Sequence, residues 1–279
     1  MTHTPVLMPE PEGTLLGKST VYSSSYDPAL LQPIPRALGR NAVGKSDFRG
    51  TDVWGLYEVT WLNEHGMPQV AVGELLVPAT TPCIVESKSL KLYVGSFTQT
   101  RFSSIEAVAE TMSKDISAAA GGPCVMTLRD LADWEGAVER MPGLLLEAEI
   151  LDLAPVDYEV NPTLLEVVEG EVAEETLSSN LLRSLCPVTG QPDHASLTIR
   201  YKGPKIAHRS LLAYIVSYRE HRGFHEQCVE QIYTDLSRLA DFEFLEVYAC
   251  FTRRGGIDIS PFRSSRDDHP AHVIRAQRQ

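Results

Sequence analysis

The sequence predicts an α+β fold made of two similar modules, each with antiparallel strands and two helices. Two runs of apolar and aromatic residues, separated by a short turn, predict a β-hairpin over 52–77. Strand patterns and amphipathic helix patterns follow one another in both halves of the chain. The helix patterns of the two halves also share sequence, which indicates an internal duplication. A chain of 279 residues is long enough for one or two domains of this kind.

The first half is expected to contain an arm, a hairpin and two helices. Residues 1–50 are rich in Pro, Ser and Gly, which is typical of an extended N-terminal arm with turns. The elements expected after it are strands over 52–63 and 70–77, a helix opening at Glu86, a helix over 103–120 and a strand over 124–128. We place the first module at 51–135.

The second half repeats this layout. Its expected elements are strands over 196–201 and 242–251 and helices over 206–218 and 224–239. The segment SKSLKLYVGSF from Ser87 aligns with HRSLLAYIVSY from His208, and Ala207 stands where Glu86 does. Chance similarity between amphipathic helices is the alternative, but the shared element order favours a true duplication. We place the second module at 181–279.

An acidic connection is expected between the modules, at 136–180. Residues 133–175 hold thirteen acidic side chains and one basic side chain, Arg140, together with three prolines. Such a charge run predicts a solvated connecting segment rather than an active surface.

Composition narrows the class of function. The formal net charge of -12 argues against a nucleic-acid binder that neutralises phosphates. No apolar run approaches about 20 residues, so no membrane-spanning helix is expected. The N-terminus carries no basic, secretory-type region, which leaves the cytoplasm as the expected compartment.

The five cysteines do not predict a disulfide framework or a thiolate-rich zinc site. Their number is odd, their spacings are wide, and no two are arranged as CxxC. Most of them are expected to be small buried apolar side chains, as Cys228 in a helix pattern and Cys250 in a strand pattern illustrate.

The run from Glu86 to Tyr93 is the most distinctive stretch of the chain. Its eight residues are ESKSLKLY, and the apolar residues that follow recur at helical spacing. Ser and Lys at a helix N-terminus favour the binding of anionic groups. A solvated face on a surface helix is the alternative interpretation.

A cysteine lies on a polar loop in the run CPVTGQPD from Cys186 to Asp193. Two prolines and a glycine predict a loop, so the thiol is expected to be accessible. A thiol must lose its proton to act as a nucleophile, and a nearby carboxylate would oppose that loss. The acid is better suited to deliver a proton to a nitrogen that develops charge. An incidental loop cysteine beside a turn-forming aspartate remains the alternative.

Two further motifs have both a functional and an ordinary interpretation. His225 and Glu226 open the last long helix, where Glu complements the helix dipole without any further role. The run Arg253-Arg254-Gly255-Gly256 follows a strand. Its arginines suit phosphate binding and its glycines suit close approach of a ligand, although a plain basic turn has the same composition.

Together these motifs resemble the QueF family, the NADPH-dependent 7-cyano-7-deazaguanine reductases of queuosine biosynthesis, in its long, two-module form. ESKSLKLY and CPVTGQPD carry the resemblance, with His225-Glu226 and Arg254-Gly255 behind them. The resemblance implies tandem tunnelling-fold modules, in which two helices pack on one face of each antiparallel sheet. It also implies a nitrile substrate and a homodimer. No GxGxxG motif follows a strand, so a Rossmann cofactor site is not expected.

The resemblance implies a role for each matched residue. Cys186 would attack the nitrile carbon to form a covalent thioimidate, and Asp193 would supply protons to the nitrogen. The deazaguanine base would be contacted by Val85, Glu86, Ser87, His225 and Glu226. NADPH would be contacted by Ser87, Lys88, Arg254 and Gly255. The substrate would be a small free base, which fits an acidic protein.

Two other functions remain open at this stage. One is a zinc-dependent tunnelling-fold enzyme of the GTP cyclohydrolase type, for which His194 lies near Cys186 but a second cysteine at ligand spacing is missing. The other is a non-catalytic ligand-binding module in which Cys186 is incidental.

Overall fold

A computed structural model describes residues 22–153 and 156–279. The first 21 residues of the expected N-terminal arm, and two residues of the acidic connection, lie outside the described residues. In chain order the elements are β1 (Pro33–Pro35), α1 (Ala37–Val43), β2 (Gly50–Leu62), β3 (Pro68–Pro78), β4 (Cys83–Val85), α2 (Ser87–Ser96), α3 (Ile105–Ala120), β5 (Val125–Arg129), β6 (Leu144–Leu145), α4 (Leu146–Glu149), β7 (Val167–Leu185), β8 (Pro192–Ile206), α5 (His208–Ser217), α6 (His225–Leu239), β9 (Phe244–Phe251) and β10 (Ile257–Ser264).

An eight-stranded sheet runs through both halves in the order β5-β3-β2-β10-β9-β8-β7-β6. Every pairing is antiparallel except the short β6–β7 pair. The halves meet where β10 pairs with β2, with Ile259 opposite Trp54 and Ile257 opposite Leu56. The predicted α+β class with antiparallel strands is therefore confirmed.

Each half packs two helices against this sheet. In the first half, α2 and α3 bury Leu90, Tyr93, Met112 and Ile116 in a core that includes Trp54. In the second half, α5 and α6 bury their own apolar stripes against alternate residues of β8 and β9. The spacing of these buried helical positions by three and four residues is what the sequence periodicity predicts. This arrangement is compatible with tandem tunnelling-fold modules.

Matching hydrogen bonds accompany the duplicated sequence. Tyr93 donates to the Asp115 carboxylate at 2.8 Å, and Tyr214 donates to the Asp235 carboxylate at 2.6 Å. The helix starts correspond in position, because Ala207 precedes α5 as Glu86 precedes α2, although Ala207 supplies no side-chain cap. The two halves therefore share side-chain contacts as well as element order.

The repeat extends into a segment where the sequence patterns did not reveal it. Residues 27–32 (DPALLQ) and 161–166 (NPTLLE) each form a capped 3₁₀ turn. Each segment then accepts a backbone hydrogen bond of 2.9 Å from the residue before the helix, Gln32 from Glu86 and Glu166 from Ala207. The N-terminal arm thus includes the first module's copy of this turn.

The expectation of a connecting segment is wrong from Val167 onward, although the expected solvent exposure holds for Glu169, Glu171 and Glu174. That part forms β7, a long strand paired with β8. Its carboxylates find partners on β8, since Glu171 pairs with Lys205 at 2.7 Å and Glu175 accepts from Tyr201 at 2.6 Å. Pairing of the acidic side chains across the strands makes a strand possible where composition indicated a linker.

Two further elements differ from expectation. The segment over 37–43, expected to be extended, forms α1, which is held against α6 by an ion pair between Arg40 and Glu230 at 2.7 Å. Strand β10 was not predicted because it contains Pro261 and Arg263, although every one of its residues is buried. Across 22–153 and 156–279, no helix is long and apolar enough to span a membrane.

Candidate active site

A cavity of about 950 Å³ opens where the two halves meet. We call it the central cavity. All ten site residues proposed from the sequence lie on its wall, namely Val85, Glu86, Ser87, Lys88, Cys186, Asp193, His225, Glu226, Arg254 and Gly255. The fold brings them together from the start of α2, the turn between β7 and β8, the start of α6 and the turn between β9 and β10. Its apolar wall includes Ile34, Trp54, Ile84, Phe224, Ile257 and Ile259.

Glu86 lies at the N-terminus of α2 and caps it. Its carboxylate accepts hydrogen bonds from the backbone N–H groups of Lys88 at 2.9 Å and Ser89 at 2.7 Å. Each carboxylate oxygen has a second acceptor site, so the side chain can still bind a donor from a ligand. The sequence predicts ligand recognition for Glu86, and the structure shows that the same side chain is also a helix cap.

Cys186 lies in the hairpin turn between β7 and β8. Its backbone closes the turn, donating to Gln191 at 2.9 Å and accepting from Gly190 at 2.9 Å. Gly190 has a φ of +68°, which suits glycine in such a tight turn. The turn leaves the Cys186 side chain half-buried on the cavity wall.

The pKa of the Cys186 thiol is lowered. Partial burial and the charge of Asp193 act to raise it, but hydrogen bonds from the Thr189 hydroxyl and from the backbone of Thr189 and Val188 outweigh them. The nearby carboxylate opposes loss of the thiol proton, and the hydrogen bonds of the turn offset this effect because they stabilise the thiolate. Thr189 was not singled out from the sequence, although it lies within the CPVTGQPD run.

Three of the other four thiols, those of Cys124, Cys228 and Cys250, behave as buried apolar side chains. Burial raises the pKa of Cys228 and of Cys250 to about 12, and that of Cys124 to about 11. Cys186 is therefore the thiol with the most nucleophilic character among these four.

Asp193 is held firmly at the start of β8. Its side chain is 7% exposed and forms an ion pair with Arg254. The His225 ring nitrogen Nε2 lies 3.5 Å from the same carboxylate oxygen, Oδ1. Arg254 also donates to the side chain of Gln191 at 3.0 Å, so it ties the hairpin turn to the acid.

His225 and Glu226 begin α6 and reach the cavity from its floor. The His225 ring stacks on Phe251 with a centroid distance of 4.0 Å. Glu226 is only 3% exposed, and its burial, together with the charge of Asp52, raises its pKa to about 8. A carboxyl group whose pKa is shifted towards neutral pH is characteristic of a functional site.

Lys91 also lines the central cavity, although it was not predicted as a site residue from the sequence. It lies one turn after Lys88 on α2, the spacing that puts two side chains on the same helix face. Burial and the charge of Arg254 lower its pKa, while Glu86 and Asp193 oppose that effect. Gly255, with a φ of +56°, faces this side chain, since a Cβ there would stand 3.2 Å from the Lys91 Cδ and Cε atoms.

These groups define what the cavity can do chemically. It holds a thiol with a lowered pKa, a buried carboxyl group near it, and two further carboxyl groups suited to N–H donors. Lysine and arginine side chains at the α2 end suit the phosphates of an anionic cofactor. Within 22–153 and 156–279, no group of three or more His, Cys, Asp or Glu side chains is arranged to hold a metal ion.

Comparisons with known proteins agree across nearly the whole chain. Residues 22–128 match the family model described as nitrile reductase, 7-cyano-7-deazaguanine-reductase N-term, and residues 192–270 match the model described as QueF-like protein. A protein of Burkholderia lata named NADPH-dependent 7-cyano-7-deazaguanine reductase is 50% identical over 274 residues, covering 96% of this chain and 99% of that protein. Proteins of the same name from Burkholderia ambifaria and Burkholderia multivorans are each 49% identical with the same coverage.

Proposed function

Because this chain belongs to the QueF family of 7-cyano-7-deazaguanine reductases, we propose that it is an NADPH-dependent oxidoreductase that reduces the nitrile 7-cyano-7-deazaguanine to the primary amine 7-aminomethyl-7-deazaguanine. This reaction would serve the biosynthesis of queuosine in tRNA. One observation carries the proposal for this chain's own residues. A thiol with a lowered pKa shares a cavity with a buried carboxylate and with the side chains that suit the base and the cofactor.

Base recognition is assigned to the cavity floor and the start of α2. A guanine-like edge presents N–H donors, and Glu86 and Glu226 offer carboxylate oxygens as acceptors. Val85 and Ser87 flank Glu86 and contact the base through main chain or hydroxyl, and His225 lies beside Glu226. Apolar residues of the cavity wall cover the faces of the ring.

Cys186 and Asp193 carry the covalent chemistry. The Cys186 sulfur bonds to the nitrile carbon, the C≡N triple bond becomes C=N, and the thiol proton ends on the nitrogen to give a thioimidate. Asp193 transfers this proton and later ones, held in place by Arg254 and His225. Addition of two hydrides and two protons then gives the amine and regenerates the thiol.

The residues at the α2 end fit NADPH. Ser87, Lys88, Lys91 and the Arg254–Gly255 turn hold a phosphate-bearing ligand by charge-assisted hydrogen bonds and by close backbone approach. When bound, NADPH supplies the hydrides, and about two are needed for each nitrile because nitrile-to-amine reduction takes four electrons.

A direct assay tests this proposal. The protein is mixed with the nitrile base and NADPH, and absorbance at the nicotinamide band is followed alongside intact mass. We expect about two NADPH consumed per nitrile and, without NADPH, an adduct on Cys186 that is lost in Cys186→Ala. If NADPH is not oxidised and no adduct forms, the proposed reaction is wrong. A metal assay on the same sample tests the zinc-dependent alternative.

A homodimer acting on a free base in the cytoplasm, with no nucleic acid bound, completes the proposal. The acidic net charge supports the last point, since it disfavours binding to a phosphate backbone. Sedimentation of the purified protein tests the dimer, and titration with tRNA tests the absence of nucleic-acid binding.

A further inference from the structure

A layer of charged side chains lies beneath the floor of the central cavity. Asp52 accepts from Arg36 at 2.6 Å and from Arg263 at 2.8 Å. Glu230 accepts from Arg40 at 2.7 Å and from Arg263 at 2.8 Å. We call these five residues the buried charge layer, because every one of them is at most 9% exposed.

The buried charge layer has one more positive than negative side chain. It contains three arginines and two carboxylates, and interactions with the arginines lower the pKa of both acids despite their burial. The Nη1 atom of Arg36 is buried, and it has no hydrogen-bond partner among the described residues. It lies 3.7 Å from the Oε1 atom of Glu230, a carboxylate oxygen that already accepts from Arg40 and Arg263. A buried guanidinium N–H group without a partner is costly, so a further anion is expected nearby.

Glu226 meets that expectation. It precedes Glu230 by one turn of α6, so the two carboxylates leave the same face of the helix. It is 3% exposed and lines the cavity floor. When Glu226 is ionised, the three arginines are balanced by three carboxylates.

The charge state of Glu226 depends on its neighbours. Burial and the charge of Asp52 raise its pKa to about 8, and Arg36 and then Arg263 act in the opposite direction. Ionised, the side chain is purely a hydrogen-bond acceptor, whereas protonated it presents a donor. A base that offers N–H groups therefore binds the ionised form.

We propose that Arg36 is a positioning residue for base recognition, which holds Glu226 in its ionised, hydrogen-bond-accepting form when the base is bound. The inference rests on the proposed function, in which Glu226 contacts the base. Arg36 belongs to the N-terminal arm, between β1 and α1. A residue outside both helices of the second module would therefore set the affinity of the site for the base.

Other charged or titratable groups also surround Glu226. They are Arg36 on the N-terminal arm, Asp52 on β2, Arg263 on β10, and His225, Cys228 and Glu230 on α6. Asp193 on β8 faces His225. Imidazole side chains titrate in the pH range of interest, so a His225→Gln background separates that contribution.

The test measures binding rather than turnover. Cys186→Ala protein, which cannot form the adduct, is titrated with the nitrile base by calorimetry from pH 6 to pH 9.5, a range of about two units on either side of the Glu226 transition. We expect affinity to fall by about tenfold per pH unit below that transition, with about one proton released per base bound at neutral pH.

Substitutions at Arg36 and Arg40 supply the comparison. Arg36→Gln removes a positive charge and should move the affinity midpoint up by about one pH unit or more, whereas Arg36→Lys keeps the charge and should restore it. Arg40→Gln is the matched control, since Arg40 is buried in the same layer and donates to Glu230 and to the Ala79 carbonyl.

Each outcome decides the matter. An Arg36→Gln profile that overlays the unsubstituted one, or an equal shift in Arg40→Gln, would overturn the inference. If Arg36→Gln does not fold, the number of protons released when the Cys186→Ala protein binds the base is the deciding measurement. Release of no proton at neutral pH would mean that base binding does not ionise Glu226, which would overturn the inference. Absence of base binding at every pH would instead contradict the proposed function.

Discussion

The Nε2 atom of His225 lies 3.5 Å from the Oδ1 atom of Asp193. This contact joins the first turn of α6 to the start of β8, and Arg254 binds the same carboxylate oxygen from the turn between β9 and β10. The acid is therefore held by side chains from two separate elements, and it lies near a thiol whose pKa is lowered by hydrogen bonds within its own hairpin turn.

Replacing Asp193 should separate base binding from proton transfer. Asp193→Asn keeps the shape of the side chain but removes the group that carries the proton, so kcat should fall by about 10²–10⁴-fold. Affinity of the Cys186→Ala/Asp193→Asn protein for the nitrile base should stay close to that of Cys186→Ala. Stopped-flow kinetics and calorimetry measure the two quantities, and full activity in Asp193→Asn would refute the assignment.

Thr189 should control the reactivity of Cys186. Thr189→Val removes the hydroxyl that stabilises the thiolate, so the thiol pKa should rise and the thiolate fraction at neutral pH should fall. Alkylation of Cys186 by iodoacetamide should become several-fold slower at pH 7, and the difference should vanish at high pH where both thiols are ionised. Cys186→Ala protein gives the background from the other thiols, and an unchanged pH profile would contradict the role of Thr189.

Lys91 should contribute to cofactor binding. Lys91→Met keeps the length of the side chain but removes its charge, so KM for NADPH should rise by about tenfold, with a smaller effect on the affinity for the base. Lys114→Met, at an exposed position of α3, is the matched control for loss of one positive charge. Equal KM values in the two variants would show that Lys91 does not bind the cofactor.

The two roles of Glu86 can be distinguished by two substitutions. Glu86→Ala removes both the helix cap and the recognition carboxylate, and the loss of the cap alone should cost about 1 kcal/mol of stability. Glu86→Gln keeps one acceptor oxygen for the helix but lacks the negative charge, so its melting temperature should change less. Both variants should bind the base more weakly in calorimetry. Base affinity that falls only in Glu86→Ala would reduce Glu86 to a structural cap.

Local motifs made much of the site predictable. ESKSLKLY and CPVTGQPD are continuous runs, and the pattern of polar and apolar residues places them at a helix start and in a turn. The hairpin over 52–77 and the paired helices were predictable for the same reason, because periodicity of two or of 3.6 residues is visible in short windows. Thr189 and Lys91 lie within these runs and follow from turn and helix spacing once the elements are known.

Contacts between residues far apart in the chain could not be predicted from local sequence patterns. Arg40 is bound to Glu230, 190 residues away in the chain, and no short window of the arm contains that information. The acidic residues of β7 indicated a linker rather than a strand, since their partners on β8 lie about thirty residues further on. Strand β10 was hidden by its proline and arginine, whose partners are supplied by tertiary structure.

The pairing of β2 with β10 sets the number of sites that a molecule can carry. The cavity takes walls from both halves, and only one of the two duplicated helix starts keeps a carboxylate, since Ala207 replaces Glu86 in the other. Gene duplication thus doubled the scaffold without doubling the number of binding sites. Each polypeptide should titrate with a single equivalent of base, and neither half produced alone should bind it.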